Sequence, residues 1–587
     1  MAILQEHYKE TILISQISAP TTNSELSFTR NDIIDEVLRT GSENLSLTFQ
    51  LAHTKQRRSF YYHIMLVDDY TAFRNFMDNL DIETYDFSGY YTIIITNKNI
   101  TNRHVVFRML SDLWGVKIVN AVLLIANFTE NPLTVSVYSY FPYHSEHCGV
   151  AKPFLFQKIL NGDTVHLNKN LLPNSLNNFQ NCTLKAGTFE IRPFISVEST
   201  PNKIDFKIGG LEAHFIETVA EKLNFQIKYQ LTPGHYQWGF IGKHNSTSLM
   251  KMIQKEQVDF GIASIALTKA RHQYLQAGTA HYTTIVVFGI PDGRLYTPLE
   301  KLLRPFATPV WYALICCITA ATVAVAIIQR SSRLKPHFIG NNTANPILNV
   351  FHIFFGNSIV GSTEQNSGRL LLFSWIYYCF VIRTVYQGLL FQYLRGDERW
   401  PRVTSISDIN KERLTYHMTD ITVRYFTSTP HVLNRTIFLP HESDTVNKGL
   451  EQLAAQENYG VIVVPLDNIA YHNKYKAKLG MVYAMKEPIA TYPIGVHYPK
   501  KSPLTKAFDM VFRYLQPAGL GNYWAKNYGD YDSLQKKQED QKEPTPLSNE
   551  HLLGCFTIFT IMNFVSILTF ICELISRQIW MKKQRRV

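Results

Sequence analysis

Arg383 is the one formal charge in RLLLFSWIYYCFVIRTVYQGLLFQYL once the leading Arg369 of that stretch (369–394) is passed. A guanidinium near the middle of an apolar run is costly in hydrocarbon, so it must face protein or a water-filled path. Upstream, NPILNVFHIFFGNSIVG at 345–361 is apolar but broken by Gly356. It is too short to cross a bilayer, which takes roughly 20 apolar residues. Such a segment is tolerated only where its open backbone lines a cavity or is covered by protein, so it reads as a re-entrant loop or, more blandly, as a buried structural one. A second kind of chemistry is hinted at by His144, Glu146 and His147 beside Cys148. No further ligand pair at metal spacing accompanies them, and a surface cluster of this kind ordinarily binds nothing, so no metal is expected. There is no Walker-type loop, nucleophile elbow or inverted repeat of apolar spans, which argues against an enzyme or a transporter, and no cofactor is expected.

The elements that must carry these residues are apolar helices. Three uncharged or nearly uncharged runs, 310–328, 370–394 and 552–576, have spanning length. Helix, short hairpin at 345–361, helix and a distant last helix make a pore-like layout. The net charge of +11 invites a nucleic-acid reading. That reading fails because Arg330, Arg333 and Lys335 follow the first span and Arg577, Lys582, Lys583, Arg585 and Arg586 follow the last. Both clusters obey the positive-inside tendency and make 577–587 a cytoplasmic basic tail. The N-terminal region and 395–551 then lie outside. Sequons at Asn44, Asn99, Asn127, Asn181, Asn245 and Asn434 fall in outside segments, and Asn341 alone falls in a cytoplasmic loop.

Of seven cysteines, Cys316, Cys317, Cys379, Cys555 and Cys572 lie in spans, where thiols behave as small hydrophobes. Cys148 and Cys182 remain outside, and a disulfide between them is expected. The opening MAILQEHYKETILISQ lacks a cationic start and apolar core, although an outside N-terminal region needs a secretory signal. The expectation is that the true start lies upstream.

Along the chain, 1–185 alternates strand and helix patterns, with KIVNAVLLIANF and TVSVYSYFPY rich in Val, Ile and Tyr, and reads as a small extracellular α/β domain. From 186 to 297, TFEIRPFISV and FQIKYQL read as strands around a helix that puts Leu211, Phe215, Ile216, Val219 and Leu223 on one face. SLMKMIQKEQ and VDFGIASIAL add another helix and strand, which predicts a parallel sheet with covering helices. A linker at 298–309 leads into the first span. After the third, 398–533 resumes the same pattern, with a helix at GLEQLAAQENY, a buried strand at YGVIVVPL and a helix at PLTKAFDMVFRYL. Polar 534–551 reads as the linker to the last span. Two α/β blocks separated by a membrane insertion can form two lobes of one domain with a ligand in the cleft.

GLEAHFIETVAEKLNF, VDFGIASIALTKARHQYL, the hairpin ending in SGRLLLFSW, IRTVYQGLLFQYL and YGVIVVPLDNIAYH, in that order, resemble ionotropic glutamate receptor subunits. The resemblance is closer to the divergent insect ionotropic receptors of chemosensation and covers about 186–577. It implies a bilobed, periplasmic-binding-protein-like ligand-binding domain joined to a helical membrane domain of three spanning helices and a re-entrant pore loop.

The resemblance also implies roles. In the family a Thr-x-x-Arg turn clamps the ligand's carboxylate, and LTKAR puts Thr268 and Arg271 on those positions. The plain alternative is a solvated first-turn arginine. TDITVRYF resembles the second-lobe turn that offers hydroxyls, making Thr419 and Thr422 candidates, although both could simply cap and turn a helix. Two departures restrict the ligand: a family threonine is replaced by Ala266, and the acidic residue that holds the amino group falls on Val464. An ammonium would find no counter-charge there. Glutamate and glycine are therefore not expected, and an organic acid or neutral tastant or odorant is.

At the gate the family's small-residue motif is replaced by IRTVYQGLL. Thr384 and Gly388 keep the family's character, and Arg383, Tyr386 and Gln387 depart from it. At the hairpin tip Gly356, Asn357 and Ser358 would offer carbonyls and amides to ions. The function implied is a ligand-gated, non-selective cation channel subunit that tunes ligand response in a heterotetramer with coreceptor subunits. It would sit as a multi-pass protein in the plasma membrane of sensory neurons, in dendrite or cilium. The alternative is a non-conducting binding or trafficking subunit that modulates partner channels.

Overall fold

The computed structural model describes residues 12–17, 24–41, 47–51, 60–80, 85–96, 103–127, 134–160, 176–199, 206–233, 237–340, 343, 345–359, 361, 365–395, 399–400, 403–440, 444–455, 460–535 and 549–584. They fall into two units. The first comprises Met1–Pro291 with Thr404–Gln535, and the second Asp292–Val403 with Lys536–Val587.

Within the first unit, the N-terminal strands are β1 (Ile12–Ile17), β2 (Leu47–Leu51), β3 (Phe60–Val67), β4 (Tyr85–Ile95), β5 (Asn120–Asn127), β6 (Thr134–Tyr140) and β7 (Pro153–Leu160). They form one sheet in the order β2-β1-β3-β4-β5-β6-β7, parallel through β5 and antiparallel from there to β7. Period-2 alternation sorts the side chains. Met65, Val67, Tyr91, Ile93, Leu123 and Ile125 pack with Phe73, Val106, Met109 and Leu110 of helices Tyr70–Asp78 and Arg103–Gly115. Ile64, Leu66 and Val122 face the other way, against Val37 of helix Ser24–Gly41. A parallel sheet covered on both faces explains why its strands read as nearly continuous apolar runs.

The second sheet is built from β8 (Cys182–Thr188), β11 (Phe225–Leu231), β12 (Phe260–Gly261), β13 (Gln276–Pro291), β14 (Thr415–Met418), β15 (Thr436–Phe438), β16 (Gly460–Pro465), β17 (Val482–Ala484) and β18 (Ala490–Tyr498); β9 (Ser196–Ser199) and β10 (Phe206–Gly209) pair separately. Its order is β11-β8-β12-β18-β13-β16-β14-β15, with β17 beside β13. The residues before and after the membrane segments therefore share one sheet. β13 joins them: its first part pairs with β18 and its last residues with β16 and β17.

Helix Leu211–Leu223 buries Leu211, Phe215, Ile216, Val219 and Leu223, the face its periodicity marks. It starts at Gly210, where φ is 108° and an added Cβ would lie 2.4 Å from the Phe194 carbonyl oxygen.

Two strand expectations shift. TFEIRPFISV contributes only Thr188 to β8 and Ser196 and Val197 to β9, because Pro193 has no N–H for a ladder; Ile191 and Ile195 make a bridge around it. VDFGIASIAL gives just Phe260–Gly261 before Ser264, at φ 49°, turns the chain away.

In the second unit, Thr308–Arg330, Asn366–Arg395 and Asn549–Gln584 are helices, and each contains a stretch long and apolar enough to cross a membrane. The first is preceded by helix Pro298–Leu303, whose start is a capping box: Thr297 Oγ1 accepts from Glu300 N–H at 3.3 Å, and the Glu300 carboxylate accepts from Thr297 N–H at 2.9 Å. Between the first two long helices, Pro346–Phe355 forms a ten-residue helix ended by Gly356.

Candidate ligand-binding site and membrane hairpin

Thr268 caps helix Lys269–Tyr274, its side chain accepting from Arg271 N–H at 3.4 Å. Arg271 folds back, and its Nη1 donates to the Ala266 carbonyl at 2.9 Å. Burial lowers its pKa most, Tyr492 opposes that, and the Arg424 cation adds to the lowering. Tyr492 donates to the Ser264 carbonyl at 3.1 Å, and burial pushes its hydroxyl up to about 12.

The 3-10 turn Thr422–Phe426 brings Arg424 and Tyr425 into electrostatic reach of Arg271. Thr419 and Thr422 open that turn. Their hydroxyl oxygens lie 3.4 Å apart, and Thr422 donates to the Thr419 carbonyl at 2.8 Å. Arg424 and Tyr425, and not the expected Thr419 or Thr422, are the residues of this segment that act electrostatically on Arg271. Among the described residues no carboxylate lies within ion-pair distance of Arg271 or Arg424. A half-buried guanidinium beside a second one and two phenols is suited to an anion. Val464 is fully buried in β16 opposite Val287 of β13, and Ala266 is buried and bridged to Ile494 of β18, so neither position offers a charge or hydroxyl.

Three groups that sequence reasoning missed surround this neighbourhood. Glu212 is buried, accepts from Ser264 N–H at 2.6 Å and lies 3.2 Å from His281, with both side chains 1% exposed. Tyr492 and Arg424 are the other two. A second polar cluster ties β-sheet loops together: Asn447 and Asn468 donate to the Arg192 carbonyl at 3.1 and 2.7 Å. Asn447 also donates to Asp444 at 2.6 Å, while burial raises the Asp444 carboxyl to about 6. Apart from the Asn447–Asp444 bond, three residues apart, local sequence signals none of these, since their partners come from distant segments.

In the second unit, Arg383 sits against Gly356, which ends helix Pro346–Phe355. A Cβ built on Gly356 would stand 1.8 Å from Arg383 Nη1, and Gly356 itself has φ 87°. Gly356, Asn357, Ser358 and Arg383 line a cavity of about 320 Å³ whose other walls include Ile353, Phe373, Tyr377 and Phe380. The expected gate residues divide. Tyr386 donates to the Leu302 carbonyl at 3.0 Å, facing helix Pro298–Leu303. Thr384, Gln387 and Gly388 lie on exposed positions of the single chain.

Cys148 and Cys182 form a disulfide with Cα atoms 5.6 Å apart. Of the sequon asparagines, Asn181, Asn245 and Asn434 are exposed, and Asn127 ends β5. Asn44 and Asn99 lie outside the described residues.

Comparison with known proteins finds a family match that lies before the residues of this site. The family model of an ionotropic receptor ligand binding domain matches residues 1–178. Ionotropic receptor 21a of Anopheles gambiae is 21% identical over 338 residues, covering 54% of this chain and 34% of that protein. Ionotropic receptor 21a of Drosophila melanogaster is 23% identical over 212 residues, 34% of this chain and 24% of that one. The chain thus spans about a quarter to a third of these curated relatives. The class they define is the ionotropic receptor. This chain is similar to divergent receptors of that insect type, and its three apolar helices are consistent with a membrane protein.

Proposed function

We propose that the chain is a ligand-tuning subunit of a ligand-gated cation channel, acting in chemosensation with coreceptor subunits, and that its agonist carries a carboxylate. The observation that carries this reading is the half-buried Arg271 guanidinium, with Arg424, Tyr425 and Tyr492 around it and without an acidic partner among the described residues. An anion entering would be bound by Arg271 from the segment before the membrane and by the Thr422–Phe426 turn from the segment after it. Ligand would then favour the arrangement in which those segments approach, and gating is a population shift limited by that preference. A carboxylate without an ammonium matches the site, because Val464 gives an amino group no counter-charge.

The test is coexpression with coreceptor subunits and current recording against a panel of organic acids and their amides. Acids should evoke current and amides should not. Arg271→Ala should raise the half-activating acid concentration at least about tenfold, as expected when a buried charged hydrogen-bond partner is lost. Acid responses undiminished in Arg271→Ala, with normal surface delivery, would sink the carboxylate assignment.

A second reading draws on Arg383. A guanidinium seated on Gly356 sets a positive charge beside the hairpin tip, which opposes cation entry. That favours a binding subunit whose partners conduct. Arg383→Gln in the assembled complex separates the two: altered reversal potential or conductance supports a pore contribution, and unaltered permeation supports the modulatory role.

A further inference from the structure

The turn between β6 and β7 gathers three metal-ligating side chains that the receptor reading does not use. Ligand atoms of His144, Glu146 and His147 lie within 4.8 Å of one another. The two imidazoles face each other, ring centroids 4.9 Å apart and planes 16° from parallel. The backbone beneath them is closed by His147 N–H to the His144 carbonyl at 3.0 Å and Gly149 N–H to the Pro142 carbonyl at 2.8 Å. The disulfide at Cys148, whose two sulfurs lie 3.4 and 3.5 Å from the His144 carbonyl oxygen, ties the same turn to β8. These constraints fix the backbone that carries the three side chains.

A further, independent observation points to a ligand. Nδ1 of His147 is buried and has no hydrogen-bond partner. An unmatched buried nitrogen is unfavourable, and coordination is one way to satisfy it. The donor set narrows the ion. Two imidazoles and one carboxylate suit a borderline transition-metal ion, whereas calcium and magnesium require mostly oxygen ligands. Cys148 is oxidised in the disulfide and is not available as a fourth ligand, so that position would be open to solvent. Drawing the three atoms onto one ion needs side-chain rotation from the stacked arrangement. His144 and His147 are only half-buried and Glu146 is exposed, which leaves room for it.

We propose that His144, Glu146 and His147 form a zinc site on this turn, with two imidazole ligands, one carboxylate and an open fourth position. The ion would brace the junction between the N-terminal sheet and β8 beside the disulfide.

The experiment titrates zinc sulfate into the full-length chain in detergent, following heat and bound zinc, with magnesium and calcium chloride as controls. Because the chain has 20 histidines, variants rather than stoichiometry alone decide the outcome. The double variant His144→Ala/His147→Ala should lose one equivalent of saturable zinc, and Glu146→Gln should weaken that equivalent at least about tenfold. The unfolding midpoint of the intact chain should rise with zinc, and that of the double variant should rise less. Should the double variant fail to fold, His144→Gln and His147→Gln singly provide the same comparison. Equal zinc binding by the intact chain and the folded variants, or no saturable zinc binding by the intact chain, overturns the proposal.

Discussion

Gly356 combines two properties no other residue type supplies at once. Its φ of 87° is strained for any residue with a Cβ, and its bare Cα leaves room for the Arg383 guanidinium. Replacing it by alanine introduces two separable faults. The guanidinium ends a flexible side chain and can swing aside, but the backbone strain of about 1–2 kcal/mol cannot be relieved that way. Gly356→Ala is therefore expected to destabilise the detergent-solubilised chain by about that amount, and adding Arg383→Ala should recover little of it. Full recovery in the double variant would show that collision, not φ, dominates. At the proposed ligand site Thr268 and Arg271 are legible locally, because a cap and a first-turn cation are three residues apart. Tyr492 is not. It reaches the Ser264 carbonyl across 228 positions, and no periodicity tells which strand will lie beside which.

Among the elements, helices were the easiest to foresee. The faces of Leu211–Leu223 and the three spanning helices follow from apolar spacing and run length, which depend on neighbours within a few turns. Strands were harder. β12 shrinks to two residues because a single residue, Ser264, leaves extended backbone, and β13 runs on through both groups of partners because nothing in its composition marks an end. Helix Thr445–Ala454 illustrates a charge effect at an element's start. Asp444 precedes it at φ 58°, and burial raises its carboxyl from 3.8 to about 6. The folded chain therefore keeps a proton there that the unfolded chain has already released between these values. Stability from this group is present below about pH 4, falls as pH climbs, and is lost above about pH 6. Asp444→Asn cannot ionise and lacks the slope. The difference in unfolding midpoint, intact chain minus variant, should become more negative between about pH 4 and pH 7; a difference that stays level would refute the assignment.

At the scale of the molecule, the disulfide fastens the N-terminal sheet to β8, the first strand of the second sheet, over a sequence separation of 34. Closing a loop of that length limits the unfolded chain by about 3–4 kcal/mol in the entropic account. Cys148→Ser with Cys182→Ser should lower stability by that order, read as the shift in denaturant midpoint at unchanged slope. No loss would mean that the sheets hold each other without it. The residue next to this bond has a consequence for how the protein is made. Asn181, a sequon asparagine in the sequence Asn-Cys-Thr, sits at φ 63° with its N–H donating to the Asn224 carbonyl at 2.8 Å, while Cys182 N–H donates to Phe179 at 2.9 Å. In the outside topology proposed for this segment, a glycosylating enzyme would have to reach Asn181 while the chain is still extended. Sugar attachment and cysteine oxidation would then compete for adjacent residues, and the order of those two events during synthesis would fix whether a given copy of the chain carries a glycan at this junction.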